Sequence, residues 1–165
     1  MNGLSTWIIQ TFGGFLSKEA LVFLISMTPI LELRGGLLAA SYLGVDMLKA
    51  IWICVIGNII PVPFILLLIT PIFAWMKKLK VFRPMVEKLE RKAMSKKDKI
   101  EKYEFWGLVF FVGIPLPGTG AWTGCLIAAL LEMDFKKAFP AAVIGILLAT
   151  LIMTTLSYGI LGQVW

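Results

Sequence analysis

Glu32 and Arg34 stand two residues apart in Thr28-Pro29-Ile30-Leu31-Glu32-Leu33-Arg34-Gly35-Gly36, inside an otherwise apolar region. A carboxylate in such a place can carry a proton or balance a cation, and a guanidinium can hold a phosphate or a carboxylate. Charges at membrane depth cost on the order of 3 kcal/mol each by insertion scales, and they mark function. The structural alternative for Glu32 is an ion pair with Arg34. For Arg34 it is holding Glu32 or capping a half-helix. Residues two apart do not face each other on a helix, so a direct pair needs non-helical backbone. Pro29 before the pair and Gly35-Gly36 after it predict such a break.

A second stretch, Pro115-Leu116-Pro117-Gly118-Thr119-Gly120-Ala121-Trp122-Thr123-Gly124, has the same breakers and no charge. Its glycine-rich turn before a helix is suited to anion binding through backbone N–H groups. It is not a Walker motif, because no Lys-Ser/Thr follows. Trp122 can stack a substrate or simply pack. Asn58 either lines a cavity or bonds between helices, and the second is the expectation. The two broken segments are expected to meet at mid-membrane, with Leu31 close to Pro117. The expected substrate and proton pathway is therefore Pro29, Glu32, Arg34, Gly35, Gly36, Asn58, Pro115, Pro117, Gly118, Thr119, Gly120 and Trp122. No histidine occurs in the chain, which removes the commonest metal ligand and proton shuttle. Cys54 and Cys125 both lie in apolar runs and read as small buried residues. No catalytic group, metal or cofactor is expected.

The elements that must position these residues follow from composition. Of 165 residues, 59% are hydrophobic and 16% charged, with mean hydropathy +0.88. A soluble domain needs far more polar surface. Residues 50–76, 105–131 and 138–165 carry no charge over 27, 27 and 28 positions. Each run exceeds the roughly 20 residues that span a bilayer as a helix. The runs are continuous rather than alternating, which excludes a β-barrel. The expectation is a multi-pass, all-α integral membrane protein of the cell membrane, in one domain over 1–165.

Residues 4–16 are apolar but too short to span, and read as an interfacial helix with Trp7 at the headgroups. Nothing before or after that run resembles a signal peptide. Ala20 to Leu31 reaches about 18 Å as a helix, half a bilayer. The break and a second short run, Leu37 to Leu43, follow. That pattern predicts a re-entrant hairpin; the alternative is one continuous spanning helix. Asp46 caps a long helix, Met47 to Met76, kinked by Pro61, Pro63 and Pro71. Residues 77–104 hold 11 of the 16 Lys and Arg, so this connector is expected in the cytoplasm. A solvated charge run explains it better than nucleic-acid binding. Val86, Leu89, Ala93, Ile100 and Tyr103 give it an amphipathic helical pattern, with Glu87/Arg91, Lys97/Glu101 and Asp98/Lys102 four apart. It would lie on the anionic inner leaflet or pack on a partner copy. Phe105 to Leu131 repeats the hairpin, and Phe135 to about Leu161 is the last spanning helix.

A shift of 88 residues pairs Pro29 with Pro117, Gly36 with Gly124, Asp46 with Asp134, Lys49 with Lys137 and Val55-Ile56-Gly57 with Val143-Ile144-Gly145. Without a gap, 13 of the 46 positions from Phe23 to Leu68 are identical. Each half (about 20–76 and 105–161) is thus a re-entrant helical hairpin plus one transmembrane helix. An odd number of crossings makes the two halves inverted repeats, an architecture of secondary transporters.

Pro29-Ile30-Leu31-Glu32-Leu33-Arg34-Gly35-Gly36 and Pro115-Leu116-Pro117-Gly118-Thr119-Gly120-Ala121-Trp122 resemble the small multi-drug export protein family of bacteria and archaea, over nearly the whole chain. That family is similar, at a distance, to the DedA and VTT-domain membrane proteins with paired re-entrant hairpins. The resemblance implies lipid translocation or proton-coupled transport, with an acidic residue in one hairpin and arginines in the second. Glu32 matches the acidic position; Gly120 and Trp122 stand in a second hairpin without arginine. The expectation is a proton-linked transporter or lipid scramblase of an amphiphile such as a polyprenyl-phosphate or phospholipid. Its partners would be membrane lipid, protons and a second copy of the chain, with no nucleic acid. An exporter of small cationic compounds and a non-transporting membrane scaffold are the alternatives. An intramembrane enzyme fits poorly.

Overall fold

The computed structural model describes residues 17–95 and 104–160. The expected interfacial helix over 4–16, with Trp7, lies outside them, as do Ile100, Tyr103 and the pairs Lys97/Glu101 and Asp98/Lys102. Every regular element among the described residues is helical. In chain order these are α1 (Lys18–Met27), α2 (Glu32–Tyr42), α3 (Met47–Ile59), α4 (Pro61–Lys77), α5 (Arg83–Met94), α6 (Glu104–Gly113), α7 (Ala121–Leu130) and α8 (Phe135–Thr154). A π-helical segment, Thr155–Ile160, continues α8.

Local chemistry sets the ends. Ser17 caps α1 by accepting from the Ala20 N–H. Thr28 must be extended because Pro29 follows, and its ψ of 144° stops α1 at Met27. The chain then re-enters helix at Glu32, so the break is Thr28–Leu31 alone. Gly35 and Gly36, expected to extend the break, lie inside α2. The second break is longer, running from residue 114 to residue 120. Both second arms close alike. Gly44 (φ 68°) and Glu132 (φ 54°) take left-handed backbone at corresponding positions. Val45 donates to the Ala40 carbonyl and Met133 to that of Ala128, both at 2.9 Å. This is the Schellman closure. Asp46 and Asp134 then cap α3 and α8 through their Oδ1 atoms.

Two stretches are apolar and long enough to cross a membrane: Met47–Lys77, 31 residues, and Phe135–Gly159, 25 residues. The first is two helices rather than one. Pro61 and Pro63 each lack an N–H, which ends α3's ladder, and α4 starts on Pro61. Trp52, Ile56, Ile60, Phe64, Leu67, Leu68, Ile72 and Trp75 are exposed along α3–α4 at helical spacing. Such a continuous apolar stripe suits hydrocarbon rather than water.

One core cluster draws on both halves, from Val22 through Met153. α1 packs on α2 and α3, and α6 packs on α7 and α8. The same peg-and-slot joint appears in each half. A Cβ on Gly36 would collide with the Ser26 hydroxyl, and one on Gly57 would lie 3.2 Å from Ser26 Cβ. In the second half a Cβ on Gly124 would lie 2.8 Å from a Val112 methyl, and one on Gly145 2.6 Å from Val112 Cβ. Ser26 therefore corresponds to Val112, an offset of 86, while the glycines correspond at 88. The ungapped pairing of Phe23 with Phe111 is corrected accordingly. The first arms are slipped by two residues, which the longer second break absorbs.

A candidate site where the two breaks meet

Glu32 opens α2 with φ 50°, a left-handed conformation costly for a non-glycine residue. That turn sends its carboxylate into the other half. Glu32 Oε2 accepts from the Ala121 N–H and Oε1 from the Trp122 N–H, both at 3.0 Å. These are the orphan donors at the start of α7, where a helix carries partial positive charge. Gly120, just before them, has φ 138°, and a Cβ there would collide with Glu32 Oε2. Glycine is required on both counts. Glu32 itself is 5% exposed.

Arg34 reaches the opposite pole of the same hairpin. Its guanidinium donates to the carbonyls of Leu116 (2.9 Å), Ile114 (3.2 Å) and Val112 (3.4 Å) and to Thr119 Oγ1 (3.0 Å). These carbonyls lie at and just beyond the C-terminus of α6, where cations are favoured. Thr119 Oγ1 also accepts from the Leu116 N–H, closing the loop on itself. The two charges are therefore not bonded to each other. Each is held by the end of a helix from the second half, the carboxylate by an N-terminus and the guanidinium by a C-terminus. The N–H groups that the glycine-rich turn delivers hold an anion belonging to the protein.

A cavity of about 440 Å³ lies at the meeting point, lined by Pro29, Ile30, Leu31, Glu32, Arg34, Lys92, Pro115, Leu116, Pro117, Gly118, Thr119 and Thr123. Leu31 and Pro117 both line it. A second cavity of about 460 Å³ adjoins, walled by Ile65, Ile69 and Phe73 of α4, Leu89 and Lys92 of α5, and Trp122, Thr123 and Leu126 of α7. Pro29, Ile30, Lys92, Gly118 and Thr123 line both. The Trp122 indole N–H donates to the Met27 carbonyl at 3.2 Å, leaving its ring in the apolar wall.

The remaining expected residues do not line either cavity. Gly36 is the slot for Ser26, and a Cβ on Gly35 would lie 2.6 Å from Leu31 Cβ. Asn58 is buried at the end of α3, and its Oδ1 has no hydrogen-bond partner. The expected bond between helices is therefore not made by that oxygen. The connector is expected on the inner leaflet or on a partner copy; in the structure α5 packs on α4 and α7 and brings Leu89 and Lys92 to the site. Val86 is fully buried there. Lys77 ties the helix down through Glu90 at 2.6 Å. Glu87 bonds Arg83 at 2.9 Å, and the expected partner Arg91 acts on it electrostatically as well. The signal for a docked helix was Val86 and Leu89, an apolar face that requires a surface to cover.

No curated protein and no solved structure matches the chain. Residues 32–152, from the charged turn of α2 through most of α8, match the small multi-drug export protein family. With that match over most of its length and apolar helices long enough to span a bilayer, the chain belongs to the small multi-drug export protein family, membrane proteins of a transporter kind.

Proposed function

We propose that this protein moves an amphiphile, such as a polyprenyl-phosphate or a phospholipid, across the inner membrane in a proton-linked manner. One observation carries the reading. A chamber containing charged and polar groups shares a wall with a chamber of aliphatic and aromatic side chains, at the point where both halves are broken. A molecule with a polar head and a hydrocarbon tail fits that division, and the volumes are those of ligand sites. The family's description, which is itself a proposal of function, speaks of export. In this reading each half is a re-entrant hairpin followed by a crossing, the halves are inverted, and the basic connector is cytoplasmic. Arms of 10 or 11 residues reach about 15 to 17 Å, half the hydrocarbon thickness. Glu32 is the proton-responsive group. Protonation turns one of its acceptor oxygens into a donor facing an N–H, which loosens its hold on α7 and frees the two halves to shift.

Export of small cationic compounds is the second reading, favoured by the Glu32 carboxylate in one chamber and the Trp122 ring in the adjoining one. It is the weaker, because both Glu32 oxygens already accept backbone N–H groups. Reconstitution in liposomes separates the two. Transport of a fluorescent prenyl phosphate, abolished by Thr123→Trp in the shared wall, supports the first. Transport of a lipophilic cation with none of the phosphate supports the second. If neither moves, the transporter reading fails.

A further inference from the structure

We propose that Lys92 of α5 reads the substrate's head group and selects an anionic one, while a single hydrocarbon chain occupies the apolar chamber between α4, α5 and α7. This rests on the amphiphile reading above. Three charged side chains line the polar chamber: Glu32, Arg34 and Lys92. Glu32 spends both oxygens on the α7 N-terminus. Arg34 spends its two terminal nitrogens on three carbonyls and a hydroxyl. These two cancel in charge and are engaged with the protein. Lys92 forms no ion pair with any described carboxylate, so the lining carries one net positive charge.

Its position makes that charge useful. Leu89 and Lys92 are three apart on α5 and share one face. Leu89 lines the apolar chamber and Lys92 lines both. One helical turn thus meets hydrocarbon with a leucine and the head group with an ammonium on a flexible stem, at the boundary between the chambers. The buried Val86 and the Lys77–Glu90 pair fix the helix that presents them. The bound molecule is therefore a lipid-like amphiphile with a phosphate-type head, rather than a free anion, which would leave the apolar chamber unused.

The test is equilibrium binding to the purified protein in nanodiscs, with farnesyl phosphate, farnesol and inorganic phosphate as probes. Wild type should prefer farnesyl phosphate to farnesol. Lys92→Gln should reduce that preference by about fivefold, the scale of a partly exposed ion pair, with farnesol binding unchanged. Lys92→Arg should retain it and Lys92→Glu should reverse it. Inorganic phosphate should not displace farnesyl phosphate. An unchanged preference in Lys92→Gln, or displacement by inorganic phosphate, overturns the assignment. Thr123→Trp separates the two levels. It should abolish binding of both prenyl compounds, and if it does not, the cavity reading itself fails whatever Lys92 does.

Discussion

Replacing Glu32 with glutamine changes one atom and removes a charge from the joint between the halves. The carboxylate accepts two backbone N–H groups, one on each oxygen, at 3.0 Å. Hydrogen bonds to charged groups contribute about 1.5–3 kcal/mol each, and the favourable end of the helix dipole adds about 0.3–1 kcal/mol. Glutamine keeps one acceptor and turns the other site into an NH₂ group facing an N–H. One charged bond is lost, the other becomes neutral, and a buried donor is left unsatisfied. The expected destabilisation is about 2–4 kcal/mol. Glu32→Asp should lose a comparable amount despite aspartate's better tolerance of left-handed backbone, because it is one methylene shorter. Reversible unfolding in mixed micelles, followed by tryptophan fluorescence, measures both. A Glu32→Gln protein within about 0.5 kcal/mol of wild type, the range of an ordinary surface change, would refute the idea that this carboxylate joins the halves.

Gly36→Ala should destabilise the protein by about 1–3 kcal/mol, an overpacking cost, and Ser26→Ala should restore only part of it, because it removes the colliding hydroxyl but leaves Cys54 Sγ 2.9 Å from the new methyl. Gly145→Ala should show no such rescue from Val112→Ala, since Val112 Cβ and the Val109 carbonyl, 2.6 and 2.8 Å from the new methyl, both remain; thermal unfolding of the single and double variants checks both. Cysteine at the exposed Lys88 should label only from the cytoplasm and cysteine at the exposed Lys49 only from outside, and the opposite pattern in intact cells overturns the topology. Transport by wild-type liposomes should depend on pH and transport by Glu32→Gln should not; an unchanged pH profile in the variant removes Glu32 from proton coupling.

Much of the architecture was legible because the membrane restricts what apolar sequence can do. Charge-free runs located the long helices, Asp46 marked the start of the first, and Pro29 and Pro117 marked the breaks. The glycines were misread. Gly35-Gly36 looks like a helix breaker in one dimension, whereas Gly36 exists to admit Ser26, a contact that only tertiary structure reveals. The two-residue slip between first arms was hidden for a similar reason. Apolar side chains match by chance at several offsets, and burial pattern rather than identity fixes the register. Glu32 and Arg34 were recognisable as unusual, but their partners were not. Apart from the Thr119 hydroxyl, those partners are backbone groups of Val112, Ile114, Leu116, Ala121 and Trp122, which leave no trace in side-chain identity beyond the need for glycine at 120. Lys92 was invisible as a site residue because it sits among ten other basic residues in 77–104, and nothing in the charge run distinguishes the one that lines both cavities.

The joint at Glu32 also bears on how the protein is made. Its two N–H donors lie 89 and 90 residues further along the chain. At roughly 5–20 residues per second of synthesis, the carboxylate waits on the order of ten seconds before α7 exists to receive it. Until then the carboxylate lacks both of its N–H donors, and Arg34, whose acceptors also lie in the second half, is the opposite charge left beside it. A nascent or truncated chain ending in the connector would therefore be incompletely assembled. Its exposed acid would be a feature by which a membrane quality-control protease could tell it from the finished molecule.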